Sequence, residues 1–324
     1  MVAGATISAD FSDDEWLHAL KSIGETEGYY TELTETHAAV FIEQSHKVLF
    51  VAFETLFGIR SVSDTGMPLA FDICARRDWS HLTLISQSQD WFRDPSIWSY
   101  IDRLVDYGFF DDFDKVIFYG AGMCGYAAAA YSVAAPGATV ITVAPQATLE
   151  RARTAWDTRF PTTRRLDFKT RYGYAPDMAD AAEAVFVIFD PDEAEDAMHA
   201  SLFGGANVHS FHYRRGRAGA IDADLRSMSL VAALADNAAS GQLTPAQFAR
   251  IMQARKRHVP YLRALLARVL SEDRPLLTRQ LCKAVLANQS IPRFKHHLEA
   301  AERRLSEEKA APRRPTARMA ADQI

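Results

Sequence analysis

The apolar positions of this chain change their period along its length, and the change divides it. Between residues 38 and 213, short runs dense in Val, Ile, Leu and Phe alternate with stretches of helical spacing. Strands are predicted over 38–43, 47–53, 81–86, 115–120, 138–144, 184–189 and 207–213, with helices over 97–107, 123–132 and 193–202 between them. Such alternation requires crossover connections, and therefore a mainly parallel sheet covered by helices on both faces. The first two runs are separated only by Gln44, Ser45 and His46, a spacing that predicts an antiparallel hairpin leading into the sheet. Before them, Ser12 caps a helix over 13–23 whose apolar face is Trp16, Leu17 and Leu20. Residues 54–68 read as a loop, followed by a helix near 70–77.

Beyond Ile221 the spacing is helical almost throughout, giving helices over 225–235, 244–256, 259–271, 274–286 and 292–306. The expected organisation is an N-terminal helical extension (1–36), an α/β core (37–236) with a lid-like insertion (149–180), a helical appendage (237–306) and a disordered tail (307–324). Pro312 and Pro315 and the lack of apolar periodicity mark the tail. The insertion interleaves Arg151, Arg153, Arg159, Arg164, Arg165, Lys169 and Arg171 with Trp156, Phe160, Phe168, Tyr172 and Tyr174. Two readings stay open for it: an anion-binding wall, or a solvated excursion whose aromatics cover the sheet.

Composition narrows the function more than it names it. The net charge of −5 and pI near 6.1 argue against nucleic-acid binding by the whole chain. Cys74, Cys124 and Cys282 lie far apart, with neither a zinc spacing nor a disulfide framework. No apolar run approaches the length of a bilayer span, and the first residues lack the pattern of a secretory signal. A soluble cytoplasmic protein without cofactor, binding neither membrane nor nucleic acid, is expected.

Candidate chemistry concentrates at residues 115–130, KVIFYGAGMCGYAAAA, which read as a buried strand, a tight glycine turn and a small-residue helix. This segment resembles the nucleophile elbow of the α/β-hydrolases, G-x-S-x-G, in the variety G-A-S-M-G-G-Y-A. The resemblance covers roughly residues 38–227. It implies that Gly120 is the small residue before the nucleophile, that Gly122 stands in the nucleophile's place, and that the amide of Met123 is half of an oxyanion hole. It also puts the triad acid after the 184–189 strand, at Asp190 or Asp192, although Asp192 is equally placed to cap the next helix. The histidine belongs in the loop 214–220, which has none; His209 and His212 lie upstream on the strand.

A scaffold lacking two of three triad members implies a protein that binds a small molecule or a protein partner without hydrolysing it. Gly120, Gly122, Met123 and Arg93, the last in the segment Trp91–Pro95 after a strand, are the candidate ligand contacts. Two alternatives remain. Cys124, in the first turn of a helix whose dipole favours a thiolate, can be read as the nucleophile of an acyl hydrolase or acyl transferase, with His212 as base and Asp190 as orienter. Gly120, Gly122 and Gly125 also spell G-x-G-x-x-G, a nucleotide-binding loop, although the next strand ends without the acidic residue that would hold a ribose.

Overall fold

The computed structural model describes residues 7–310 except Ala9, Asp64 and Ala218. Two compact units result, one ending at Gln253 and the other starting at Ala254.

The first unit is built on one eight-stranded sheet: β1 Gly28–Thr34, β2 His37–Ile42, β3 Val48–Thr55, β4 Ser80–Ser86, β5 Lys115–Ala121, β6 Thr139–Val143, β7 Ala184–Phe189 and β8 Val208–His212. Their spatial order is β1-β2-β4-β3-β5-β6-β7-β8. β2 runs antiparallel to both β1 and β4, and every later pairing is parallel. With helices on both faces, this is the α/β-hydrolase fold. β2, β3 and β4 are buried along nearly their whole length, as expected of strands covered on both sides.

The N-terminal hairpin is made by different strands from those the spacing predicts. β2 pairs with β1, and the run over 47–53 becomes β3, which lies between β4 and β5. β1 is easily overlooked, because GYYTELT carries polar residues and stays partly exposed at the sheet edge. The helix before it, α1 (Asp13–Glu27), starts with a capping box between Ser12 and Glu15. α1 buries Trp16, Leu20 and Ile23 in a small cluster with Val40, Ile42 and Ile59.

Much of the 54–68 stretch also departs from a loop. β3 continues to Thr55, whose hydroxyl accepts from the Gly58 amide and caps α2 (Leu56–Val62). The remaining helices of this unit are α3 (Leu69–Cys74), α4 (Pro95–Asp106), α5 (Met123–Tyr131), α6 (Arg151–Thr154), α7 (Ala175–Ala179), α8 (Ala194–Ser201), α9 (Ile221–Ser227), α10 (Leu230–Ala239) and α11 (Pro245–Ile251). α5 is buried on all sides, which its run of alanines permits, and packs on β5 and β6.

The second unit contains α12 (Val259–Ser271), α13 (Pro275–Leu286) and α14 (Pro292–Ala310), packed α12 on α13 and α13 on α14. Its core includes Tyr261, Leu262, Leu266, Cys282 and Phe294. α14 takes in residues 307–310 of the expected tail; 311–324 lie outside the described residues. Among the described residues no helix is long and apolar enough to cross a membrane.

Candidate functional site

The turn after β5 is a sharp strand-to-helix reversal with Gly122 at its apex. Gly122 sits alone between strand and helix at φ 57° and ψ −123°, a region that side-chain-bearing residues enter only under strain. Its amide donates to Val143 O at 2.8 Å, and its carbonyl accepts from the Tyr126 amide. A Cβ added at Gly122 would meet nothing within 4 Å, so the apex opens into space. The flanking glycines have no such room. A Cβ at Gly120 would lie 2.0 Å from the Cys124 carbonyl oxygen, and one at Gly125 would lie 2.5 Å from Thr142 Oγ1. The glycine requirement at 120 and 125 is therefore close approach of strand and helix, whereas at 122 it is backbone conformation.

Above Gly122 lies a cavity of about 570 Å³ at the C-terminal edge of the parallel strands, where ligands of such sheets bind. One wall is aromatic and includes Phe53, Trp91 and Phe160, with Phe57 exposed at the rim. Trp91 meets Phe160 edge-on at 4.6 Å between ring centroids and donates its indole N–H to Gln146 Oε1 at 3.1 Å. Trp91 and Phe92 both hold positive φ, as does Ala144 two residues before Gln146. Backbone strain thus gathers around the cavity.

Another part of the lining is charged. Arg226 of α9 donates to Glu54 Oε1 at 2.7 Å and forms an ion pair with Asp222 at 2.8 Å. Asp222 also accepts from the Tyr119 hydroxyl, and Glu54 from the Leu69 amide. Glu54, Asp222 and Arg226 line the cavity, so its charged lining is two carboxylates against one guanidinium. Burial pushes the Glu54 carboxyl above its ordinary value despite Arg226, while the nearby carboxylates outweigh burial and raise Arg226. The sequence reading passes over this cluster, because Glu54 and Arg226 are 172 residues apart. Two local signals exist: a glutamate near the end of the apolar run VLFVAFET, and Asp222 four residues before Arg226 on one helix.

The residues singled out from sequence do not assemble into a triad. Cys124 borders the cavity but is only 6% exposed. Burial pushes its thiol well above the ordinary value, and Glu54, Asp222 and Asp90 push it the same way; Arg226 opposes them incompletely. Asp190 is buried behind the β7 end, its carboxylate accepting from the amides of Asp192 and Gly216. Glu193, not Asp192, occupies the cap position of α8. His212 is exposed on β8 against the Phe189 ring, and His209 stacks on Phe186. Neither Asp190 nor any histidine is among the described residues that line the cavity.

Arg93 is turned into the protein. It donates to the carbonyls of Asp167 at 2.6 Å and Arg171 at 2.7 Å, and lies over the Trp98 ring. It therefore holds the 149–180 insertion and does not reach the cavity lining. Two of the insertion's other cations are similarly engaged: Arg171 with Asp102, and Arg159 with Asp157 and Asp196. Phe168 and Tyr172 are buried in the main core. Of the two readings of this segment, the aromatic cover describes its geometry, and Phe160 alone lines the cavity.

A buried His199–Asp157 pair fixes the insertion to α8. His199 Nε2 lies 2.9 Å from Asp157, and Nδ1 accepts from the Ala147 amide, a pattern that requires the neutral ring. Burial lowers the His199 pKa despite Asp157. Asp157 is held down to about 2: burial opposes this, but Arg159 and His199 outweigh it. Both folded values lie below their unfolded ones, so both contributions are complete above the unfolded pKa and are lost as pH falls. The melting temperature is accordingly expected to drop between pH 7 and pH 5, where the His199 imidazole takes up a proton in the unfolded chain while its burial resists protonation in the folded one. Replacing it with glutamine, which donates and accepts without titrating, should flatten that limb in a thermal-melt series.

Among the described residues no group of three or more His, Cys, Asp or Glu is placed to hold a metal ion. No protein-family model and no curated protein matches the chain. Solved structures do. The glycosylation-associated protein (Gap123) complex of Streptococcus agalactiae matches 62% of this chain at 12% identity and a TM-score of 0.43. That match spans only 44% of the other chain's length. The capsule O-acetyltransferase of Neisseria meningitidis serogroup A matches 63% of this chain and 94% of its own, at 8% identity and a TM-score of 0.40. A hyperthermophilic esterase from the archaeon Pyrobaculum calidifontis matches 75% and 95%, at 11% identity and a TM-score of 0.41. These likenesses carry no residue-level correspondence; strand order and the elbow identify the fold.

Proposed function

We propose that this protein binds a small molecule in the elbow cavity and does not hydrolyse it. The observation that supports this reading is Gly122: the elbow keeps its strained backbone and open apex, yet presents no nucleophilic side chain there. Among the described residues no histidine lines the cavity, and its two carboxylates, Glu54 and Asp222, are both engaged by Arg226, so with no side chain at the apex acyl transfer has no route to a covalent intermediate there. The Met123 amide, at the first position of α5, remains free of a helical acceptor and is a donor for a ligand oxygen.

The lining defines the ligand's chemistry. With two carboxylates to one guanidinium, the charged wall favours a neutral or cationic polar group over an anionic one, and the Trp91–Phe160 wall accepts a planar or apolar face. This disfavours a dinucleotide, whose pyrophosphate would meet Glu54 and Asp222. The thiol reading has less support, because burial stabilises the neutral form of Cys124.

A ligand that binds only the folded state must raise apparent stability. Thermal melts against a panel of small amines, sugars and nucleosides should find saturable stabilisation by a neutral or cationic member. Gln87→Trp, at an exposed position of the cavity lining, should abolish that shift without lowering the ligand-free melting temperature. Stabilisation that survives the Trp variant would place binding elsewhere. Stabilisation by NAD or ATP alone would favour the nucleotide-loop reading.

A further inference from the structure

We propose that the helical unit starting at Ala254 is a peripheral docking surface for anionic lipid bilayers. This goes beyond the cavity and does not depend on what the cavity binds. The mild acidity of the whole chain conceals a sharp segregation. From Ala254 onward there are 16 Lys and Arg against 7 Asp and Glu, a net of +9, while the preceding 253 residues carry 20 against 34, a net of −14. Asymmetry on this scale within one chain is a mark of binding to a polyanionic surface.

The cations are available. Lys256, Arg257, Arg263, Arg293, Lys295 and Arg303 are exposed, and among the described residues none of them is seen in an ion pair. Near a negatively charged leaflet each such residue strengthens binding. Charge alone does not distinguish a bilayer from a nucleic acid. Two further features of this unit do.

The first is a set of leucines in water. Leu270 at the end of α12 and Leu276 and Leu277 at the start of α13 are 36%, 48% and 40% exposed. They flank a three-residue connection whose two acids are neutralised locally, Glu272 by Arg268 and Arg274, and Asp273 by Arg304. An apolar tip with its acids already paired can enter the headgroup region, and surface binding that combines apolar burial with basic residues is the stable kind. The second feature is the fate of the aromatics. Tyr261 and Phe294, the only Tyr, Phe or Trp from Ala254 onward, are both buried, so neither of these rings is available to stack on a base.

The test is co-sedimentation of the full chain with vesicles of phosphatidylcholine alone and of phosphatidylcholine mixed with phosphatidylglycerol, at low and high salt. Binding should be at least about tenfold tighter to the mixed vesicles at low salt and weaken as salt rises. Leu276→Asp with Leu277→Asp should reduce it about tenfold, and Lys256→Glu with Arg257→Glu should do likewise. These positions are exposed, so the variants should melt within a few degrees of the unchanged protein. Equal partition to both vesicle types would overturn the proposal, as would binding that ignores both variant pairs. Salt-sensitive binding to duplex DNA without vesicle binding would overturn it too, and assign the charge to nucleic acid.

Discussion

Replacing Arg226 with methionine should destabilise the first unit more than any other single change in the cavity, by about 3–5 kcal/mol, because it leaves Glu54 and Asp222 charged and without their counterion in a buried setting. The loss should register in a urea titration as a lower midpoint at unchanged slope. Arg226→Lys should recover only part of it, since an ammonium cannot span both carboxylates as the planar guanidinium does. The sign of the pH dependence is fixed by Glu54. Burial already holds its folded pKa above the unfolded one, so its contribution is greatest below the unfolded pKa and is lost as pH rises. Removing Arg226 raises that pKa further, so the variant's deficit should be larger at pH 8 than at pH 5. A deficit independent of pH would mean that Glu54 does not sense Arg226.

The three glycine positions of the elbow should separate by mechanism. Gly120→Ala sets a Cβ 2.0 Å from the Cys124 carbonyl oxygen, a backbone atom of the helix that cannot swing aside. Its cost should reach about 4 kcal/mol or more, the range of severe core overpacking. Gly122→Ala meets no atom but must hold φ 57° and ψ −123°, which costs about 1–3 kcal/mol. Gly125→Ala should fall between them, because Thr142 Oγ1 is a short side chain with limited freedom. Equal destabilisation at 120 and 122 would contradict the distinction between close approach and conformation.

Most of the sheet could be read from the sequence, because a strand buried on both faces is a dense apolar run, and five parallel strands of this kind occupy its centre and one side. β1 was hidden by its polarity at the edge, and its absence sent the hairpin to the wrong partner. The helix at Leu56–Val62 was hidden by Gly58, which reads as a loop residue but lies within the turn that Thr55 caps. The tight glycine turn after β5 was legible, since close approach writes glycine into the sequence at fixed offsets.

The cavity itself was legible only on that one side. Gly122, Met123 and Cys124 line it, whereas Arg93 does not, because a cation after a strand gives no sign of whether its carbonyl partners lie across the sheet or in the solvent. The charged wall was invisible because its members come from β3 and α9, at opposite ends of the core. A close pair like Asp222 and Arg226 is common on solvated helices. Only the arrival of Glu54 on the same guanidinium makes it a buried cluster.

Steady-state turnover of short acyl esters and thioesters tests most directly whether the cavity lacks a working nucleophile at Gly122. The unchanged protein should hydrolyse p-nitrophenyl acetate and an acetyl thioester no faster than the Cys124→Ala variant or buffer alone. Saturable turnover by the unchanged protein that Cys124→Ala eliminates would contradict the account and make the buried thiol the nucleophile of a working enzyme.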